Sequence, residues 1–261
     1  MSLPGSLVAL YVPGSRPDRF DKAVATGAEV ILDLEDSVAE ADKDAARSAV
    51  AEWLRTCETA VQVRVNAPGS RDLAADLAAL PVDVPIRVPK VQRPDDLAPV
   101  ADRTVHVLLE SALGVEHAYA VASAPGVASL ALGEADLAAE LGLHGEGAFD
   151  WVRSRIVVAA GAAGLPAPMM AAYADVRDLE GLAVSCQRGR ALGMRGRTAV
   201  HPTQVPVIRA AFAPTPAELA WAREVLAALE GRGVASLADG SMVDEAMARR
   251  ARTLLGEGRD Q

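Results

Sequence analysis

The chain has 261 residues, 51% of them apolar, and a formal net charge of −9. That length suits one large α/β domain or two small ones, and the apolar share is enough for a sizeable core. The acidic balance, with no basic stripe carrying interleaved aromatics, argues against a nucleic-acid partner, while local Arg and Lys can still grip an anionic small molecule.

Short apolar runs alternate with helical segments. Residues 7–12 (LVALYV) read as a first strand closed by Pro13-Gly14-Ser15, and 17–26 as a helix stopped by Gly27. Residues 30–38, VILDLEDSV, form a second strand that breaks into Asp33, Glu35 and Asp36; period two sends Asp33 and Glu35 to one face and Asp36 to the other. An Ala-rich helix at 40–54 precedes a third strand, 61–66 (VQVRVN), and a helix at 71–80. The fourth strand is 86–91, with Pro89 marking its end. A short helix at 95–101, a fifth strand at 104–111 and a helix at 115–123 follow. A sixth strand with its loop spans 127–137, a longer helix 149–163, and a weak seventh strand 168–172. Residues 179–192 are helical with Gly193 as C-cap, and 197–202 (RTAVHP) is the eighth strand. In the tail, 216–229 is a helix, 230–240 a glycine-containing linker and 241–255 a final helical piece.

Eight β/α units over roughly 200 residues predict a TIM (β/α)8 barrel. The expected division is a barrel at 1–214 and, at 215–261, a C-terminal helical extension that caps its own barrel or reaches a neighbour. An open doubly wound sheet competes, but no glycine-rich dinucleotide fingerprint follows the first strand. The two cysteines, Cys57 and Cys186, form no metal or redox motif, and no apolar run reaches spanning length. A cytoplasmic protein without membrane contact is expected.

Barrel chemistry sits where strands end. Read as one list, the ends supply Gly14, Ser15 and Arg16; Glu35 and Asp36; Arg64 and Asn66; Lys90; Glu110; Glu134 and Asp136; and His201 with Gln204. Acids converging beside few His and no Cys select a hard cation, Mg2+ or Mn2+. Glu110, closing VHVLLE, is a metal-ligand candidate, with an N-cap or ion-pair role as the competing account. Asp136 is a helix N-terminal acid that can also be a ligand. The loop before that helix, at Gly133, Glu134 and Ala135, offers backbone N–H groups suited to a substrate carboxylate. Arg64 either binds substrate oxygens through its planar fork or pairs with Glu35. Lys90 either faces the mouth or is solvated. His201 is structural or ligand-contacting rather than a general base, and His106 belongs to the core or an interface.

Several of these stretches together resemble the citrate lyase beta-subunit family, which sits in the wider aldolase/citrate lyase group with malyl-CoA and citramalyl-CoA lyases. They are YVPGSRPDRF (11–20), LDLED (32–36), VRVN (63–66), PK (89–90), LES (109–111), GEADL (133–137) and HPTQ (201–204). The resemblance implies a TIM barrel, a homo-oligomer that is commonly a trimer, and Mg2+-dependent cleavage or formation of a C–C bond in a 3-hydroxyacyl thioester carried by CoA or a carrier protein. By position it implies Glu110 and Asp136 as metal ligands and Arg64 against the reacting oxygens. Glu35 and Asp36 then hold metal waters or orient Arg64, and Arg16, Arg19 and Lys90 are candidates for CoA phosphates. GSMVD (240–244) resembles the family's lid, whose aspartate, here Asp244, acts as acid/base in a neighbouring subunit's site. The chain departs from the family there, with Ala246 where a proline is usual and 235–237 (ASL) lacking the usual aromatic. Asp36 in place of the histidine of D-x-E-H class II keto-acid aldolases favours the thioester branch. The beta subunit of a citrate lyase complex and a catalytically silent scaffold are the remaining alternatives.

Overall fold

The eight predicted strands form, and they close on one another. The computed structural model describes residues 6–256, so 1–5 and 257–261 of the expected ranges lie outside the described residues. Strand β1 (Val8–Pro13) pairs in parallel with β2 (Glu29–Asp33) from Ala9↔Glu29 to Pro13↔Asp33. A 3-10 turn at Pro17–Arg19 and helix α1 (Phe20–Val24) join them. Helix α2 (Lys43–Leu54) leads to β3 (Gln62–Arg64), and α3 (Leu73–Ala79) to β4 (Ile86–Val88). Next come β5 (Val105–Leu109), the short helices α4 (Ala112–Glu116) and α5 (Ala118–Ala122), and β6 (Val127–Leu132). Helices α6 (Glu134–Leu141) and α7 (Asp150–Ala162) precede β7 (Met169–Met170). Helix α8 (Leu179–Ala191) precedes β8 (Gly196–Ala199), which returns to β1 and completes an eight-stranded parallel barrel, and α9 (Gln204–Phe212) follows. Near-continuous Val, Ile and Leu runs produce this because each strand is buried on both faces.

The two faces differ in chemistry. Val8, Leu10, Val12, Val30, Leu32 and Val63 pack outward on the helices. The lumen alternates with them and holds a small apolar group, Ala9, Ile31 and Met169 against Tyr11. It also holds a buried polar set, Glu29, Gln62, Arg87, His106 and Ser129. Gln62 Nε2 donates to Glu29 Oε1 at 2.7 Å, and His106 Nδ1 meets Ser129 Oγ at 2.8 Å, placing His106 in the core.

Residues 213–256 form a second compact unit. Helix α10 (Pro216–Leu229) begins with Thr215 and Glu218 in a reciprocal capping box. Two stretches differ from the sequence reading. The expected linker contains β9 (Val234–Ser236), and the expected final helix opens as β10 (Met242–Asp244), antiparallel to β9, before α11 (Glu245–Leu255). Burial of Leu237 and Val243 against Ala222 and Val225 accounts for a hairpin that local propensity did not announce. The predicted helix at 115–123 is likewise divided at His117, whose Nδ1 lies 2.9 Å from the carbonyl of Gln92. Among the described residues no helix is long and apolar enough to cross a membrane.

One buried carboxylate ties the β2, β3 and α3 regions together. Asp76, fully buried, accepts from Arg47 Nε at 2.9 Å and from Asn66 N and Nδ2 at 2.8 and 2.7 Å. Asn66 in turn donates to Leu34 O and accepts from Lys43 Nζ. Asp76→Ala leaves these donors unsatisfied and should lower unfolding free energy by about 3 kcal/mol or more, measured by urea denaturation.

Candidate active site

Arg64 is the last residue of β3, and two acids converge on it. Nε and Nη2 donate to Asp33 Oδ1 and Oδ2 at 2.6 and 2.7 Å, a two-toothed pair. On another edge, Nη1 lies 2.8 Å from Glu35 Oε2. That contact is close but not in line, so Glu35 Oε2 remains buried without a hydrogen bond. The guanidinium also stacks on Tyr11, 4.8 Å from the ring centre. Burial opposes the Arg64 charge, but Asp33 and Glu35 outweigh it and hold its pKa above the ordinary value. Burial pushes Asp33 up, and Arg64 overrides it and holds the carboxyl low. For Glu35 burial wins, leaving its carboxyl raised despite Arg64 and Lys90.

Asp33 also ends β2. Its two oxygens accept from the N–H groups of Glu35 (3.0 Å) and Ser37 (3.1 Å), turning the chain so that 34–38 is loop rather than the strand the apolar run predicts. Gly14 packs on this turn and donates its N–H to Asp33 O at 2.7 Å; a Cβ there would meet that oxygen at 2.8 Å.

Lys90 connects this cluster to the next. It is the sole non-glycine residue with positive φ (55°) among the described residues. The backbone strain coincides with two contacts: Lys90 N–H donates to Glu110 Oε1 at 2.8 Å, and Nζ donates to Glu35 Oε1 at 2.6 Å. Asp36, exposed, lies 3.5 Å from the same Nζ. Burial works against the ammonium, and Glu35 more than offsets it, so Lys90 stays charged well above the ordinary lysine range.

Glu110 follows β5 directly, and Asp136 lies in the first turn of α6. Gly133 packs against Glu110, and a Cβ there would meet Oε2 at 2.5 Å. Burial, then the adjoining Asp136 carboxyl, pushes Glu110 up to about 8, although the Lys90 N–H favours its charged form. Two facing acids at this spacing favour either a proton on Glu110 or a cation between them. Among the described residues no group of three or more His, Cys, Asp and Glu could hold a metal. A pair of carboxylates fits Mg2+, which keeps several waters and takes one or two protein carboxylates beside substrate oxygens. It does not fit a closed structural zinc site.

A cavity of about 280 Å3 unites these groups, with Arg64, Asp36, Glu110, Asp136 and the Gly133–Glu134–Ala135 segment in its wall. Within that segment, Gly133 N–H is already donated to Leu109 O at 2.9 Å. The Glu134 side chain is paired with fully buried Arg153, at 2.6 and 2.8 Å. What the segment presents is the N-terminal turn of α6. Arg16 lies elsewhere, paired with Asp18 in a second cavity of about 450 Å3 that also has Arg19, Lys22 and His201 in its wall and shares Tyr11 and Val200 with the first. Gln204, fully buried, accepts from Val200 N–H and donates to Tyr173 O, ending β8 earlier than its apolar run predicts. Asp244 belongs to the second unit, where its Oδ1 accepts from Ala246 and Met247 N–H as the N-cap of α11.

Tyr11, Arg87 and Thr198 also line the first cavity and were not singled out from the sequence. Arg87 carried a signal: flanked by Ile86 and Val88, it repeats the Val63-Arg64-Val65 pattern one strand later.

Such a barrel, with its charged groups gathered at the C-terminal ends of the strands, is a TIM-barrel enzyme. The chain belongs to the HpcH/HpaI aldolase/citrate lyase family of carbon–carbon lyases, whose model matches residues 7–202. A citrate lyase subunit beta-like protein of Mycobacterium tuberculosis is 39% identical over 256 residues, covering 94% of this chain and 93% of that protein. A (3S)-malyl-CoA thioesterase of Cereibacter sphaeroides is 35% identical, covering 90% of this chain and 88% of its own. The crystal structure of CitE from M. tuberculosis with magnesium, acetoacetate and coenzyme A superposes with a TM-score of 0.86 at 36% identity, covering 98% of both chains.

The Glu110 shift gives a signed pH dependence. Unfolded, Glu110 titrates at its ordinary 4.5, and folded at about 8. Between those values the folded chain holds a proton that the unfolded chain lacks, so this contribution to stability falls as pH rises. Chelator-treated protein should lose stability between about pH 5 and 8, and Glu110→Gln should flatten that part of the profile in urea titrations.

Proposed function

We propose that the protein is a Mg2+-dependent lyase that cleaves or forms the C–C bond of a 3-hydroxyacyl-CoA, with citramalyl-CoA and malyl-CoA as the leading substrates. The observation that carries this reading is one cavity holding both a rigidly paired Arg64 and the Glu110–Asp136 carboxylates.

In the cleavage direction the substrate hydroxyl loses its proton and the carbon–carbon bond breaks. A keto acid or glyoxylate-like fragment leaves, and the thioester fragment departs as an enolate that takes a proton on carbon. Glu110 and Asp136 would hold the metal ion. Bound Mg2+ supplies charge stabilisation at the acid's oxygens, worth several kcal/mol. Arg64 places a fixed positive charge where the oxyanion develops, already oriented by Asp33 and Glu35. The first turn of α6 faces the substrate carboxylate with N–H groups of Glu134 and Ala135. Glu35 and Asp36 border this arrangement, and Glu35 bridges Lys90 and Arg64. Arg16, Arg19 and Lys22 in the adjoining cavity suit the phosphates of CoA. Asp244 is assigned the acid/base role by family likeness, delivered from a neighbouring copy in a homo-oligomer, with a trimer as the expected assembly.

The protein would act alone on free CoA thioesters rather than on a carrier-bound citryl group. Purified protein with Mg2+ should release a keto or aldehydic acid together with an acyl-CoA from at least one of these thioesters, followed by mass spectrometry. Glu110→Gln and Asp136→Asn should each lower kcat/KM by about 100-fold or more. Equal activity in those variants would defeat the metal assignment. Release of free CoA with an intact hydroxy acid would indicate thioester hydrolysis instead, and no turnover of any free thioester would point to a complex subunit.

A further inference from the structure

Arg153, on α7, is fully buried, and the proposed chemistry assigns it no part. Its fork is occupied by the first turn of α6: Nε and Nη2 donate to Glu134 Oε1 and Oε2 at 2.6 and 2.8 Å. The remaining Nη1 donates to Glu146 Oε1. Burial opposes the Arg153 charge, and Glu134, then Glu146, outweigh it and hold the pKa above the ordinary value. The chain of contacts continues beyond Glu146. Its Oε1 also accepts from Ser185 Oγ at 2.8 Å, Ser185 Oγ accepts from Arg197 Nη1 at 2.6 Å, and Arg197 Nε donates to Ala171 O at 2.9 Å. Ala171, like Glu134, borders the 280 Å3 cavity. A continuous set of hydrogen bonds therefore runs behind the cavity wall, from the start of α6 to the residue after β7.

Helix α6 needs such a hold. It is eight residues long and buries one side chain, Leu137. Packing alone holds so short a helix weakly. Yet its first turn carries Asp136, which is exposed and adjoins Glu110. An exposed carboxylate takes its orientation from the turn it stands on. Glu134 and Asp136 are two residues apart, about 200° around a helix axis. A grip on Glu134 from α7 thus fixes the rotation of the turn and leaves Asp136 directed at Glu110. Arg153 also matches the charge of Glu134, so no unpaired acid stands in the wall proposed to face the substrate carboxylate.

We propose that Arg153 is a positioning residue. By clamping Glu134 from α7 it sets the first turn of α6, and so holds Asp136 at the spacing from Glu110 that a divalent ion requires. This rests on the metal assignment in the lyase reading above. Arg153 itself touches neither the ion nor the substrate.

Charge and position predict opposite signs, which makes the role testable. On charge alone, removing a cation beside the site strengthens the binding of a divalent ion, whereas losing the clamp weakens it. The measurement is Mn2+ binding to the full chain, followed by electron paramagnetic resonance of the free ion, with folding checked by circular dichroism. Arg153→Met should weaken Mn2+ binding about 10-fold or more. Arg153→Lys, which keeps the charge and loses the fork, should weaken it about 3- to 10-fold, and it carries the test if the Met variant fails to fold. Glu134→Ala should reproduce the loss seen in Arg153→Met, and combining the two should lower affinity by less than about threefold further. Unchanged or tighter Mn2+ binding in either folded Arg153 variant overturns the positioning role. A larger further loss in the double variant also overturns it, because Arg153 would then act on the fold at large rather than through Glu134. Both results leave the lyase reading standing. Failure of the unaltered protein to bind Mn2+ overturns both.

Discussion

The site depends on how the barrel keeps a guanidinium charged inside its mouth. Arg64 sits at the end of a buried strand, where an unpaired cation is costly. Asp33 matches its fork tooth for tooth, and Glu35 stands on another edge. The solution is local in sequence, because both acids come from the turn that ends β2. The same carboxylate that holds Arg64 also accepts the two N–H groups that make that turn. Strand termination and side-chain orientation are therefore one event.

From there the constraint spreads around the rim. Glu35 is shared between Arg64 and Lys90, and the strained backbone of Lys90 carries an N–H to Glu110. Gly133 lets the start of α6 close on Glu110, bringing Asp136 alongside. Arg64 and Lys90 are balanced by Asp33 and Glu35, which leaves Glu110 and Asp136 as surplus negative charge. Burial and Asp136 raise the Glu110 pKa, and a divalent ion is what the same geometry accommodates in place of that proton.

Much of this was legible in the sequence because burial on both faces writes strands as apolar runs, and acids or bases closing such runs mark the barrel mouth. The eight strands, Arg64, Lys90, Glu110 and Asp136 were readable on that basis. Asp33 was placed on the face of Glu35 by period two, but its role was not readable: a carboxylate that caps its own turn and grips a residue 31 positions later has no local pattern. Arg87 repeats the pattern of Arg64, yet only the register between strands shows that both border one cavity. The hairpin of β9 and β10 was hidden because three-residue strands, one largely exposed, carry too few apolar positions to outweigh helical propensity nearby. Asp244 consequently ends a strand and caps a helix, where the sequence suggested helix throughout.

The account turns on Arg64 being useful only when Asp33 aims it. Asp33→Asn keeps the shape and removes the charge that matches the fork. Steady-state kinetics on malyl-CoA and citramalyl-CoA, with folding checked by circular dichroism, should show kcat reduced about 100-fold for the cleaved thioester with KM little changed. A folded Asp33→Asn variant with unaltered kcat would contradict the account.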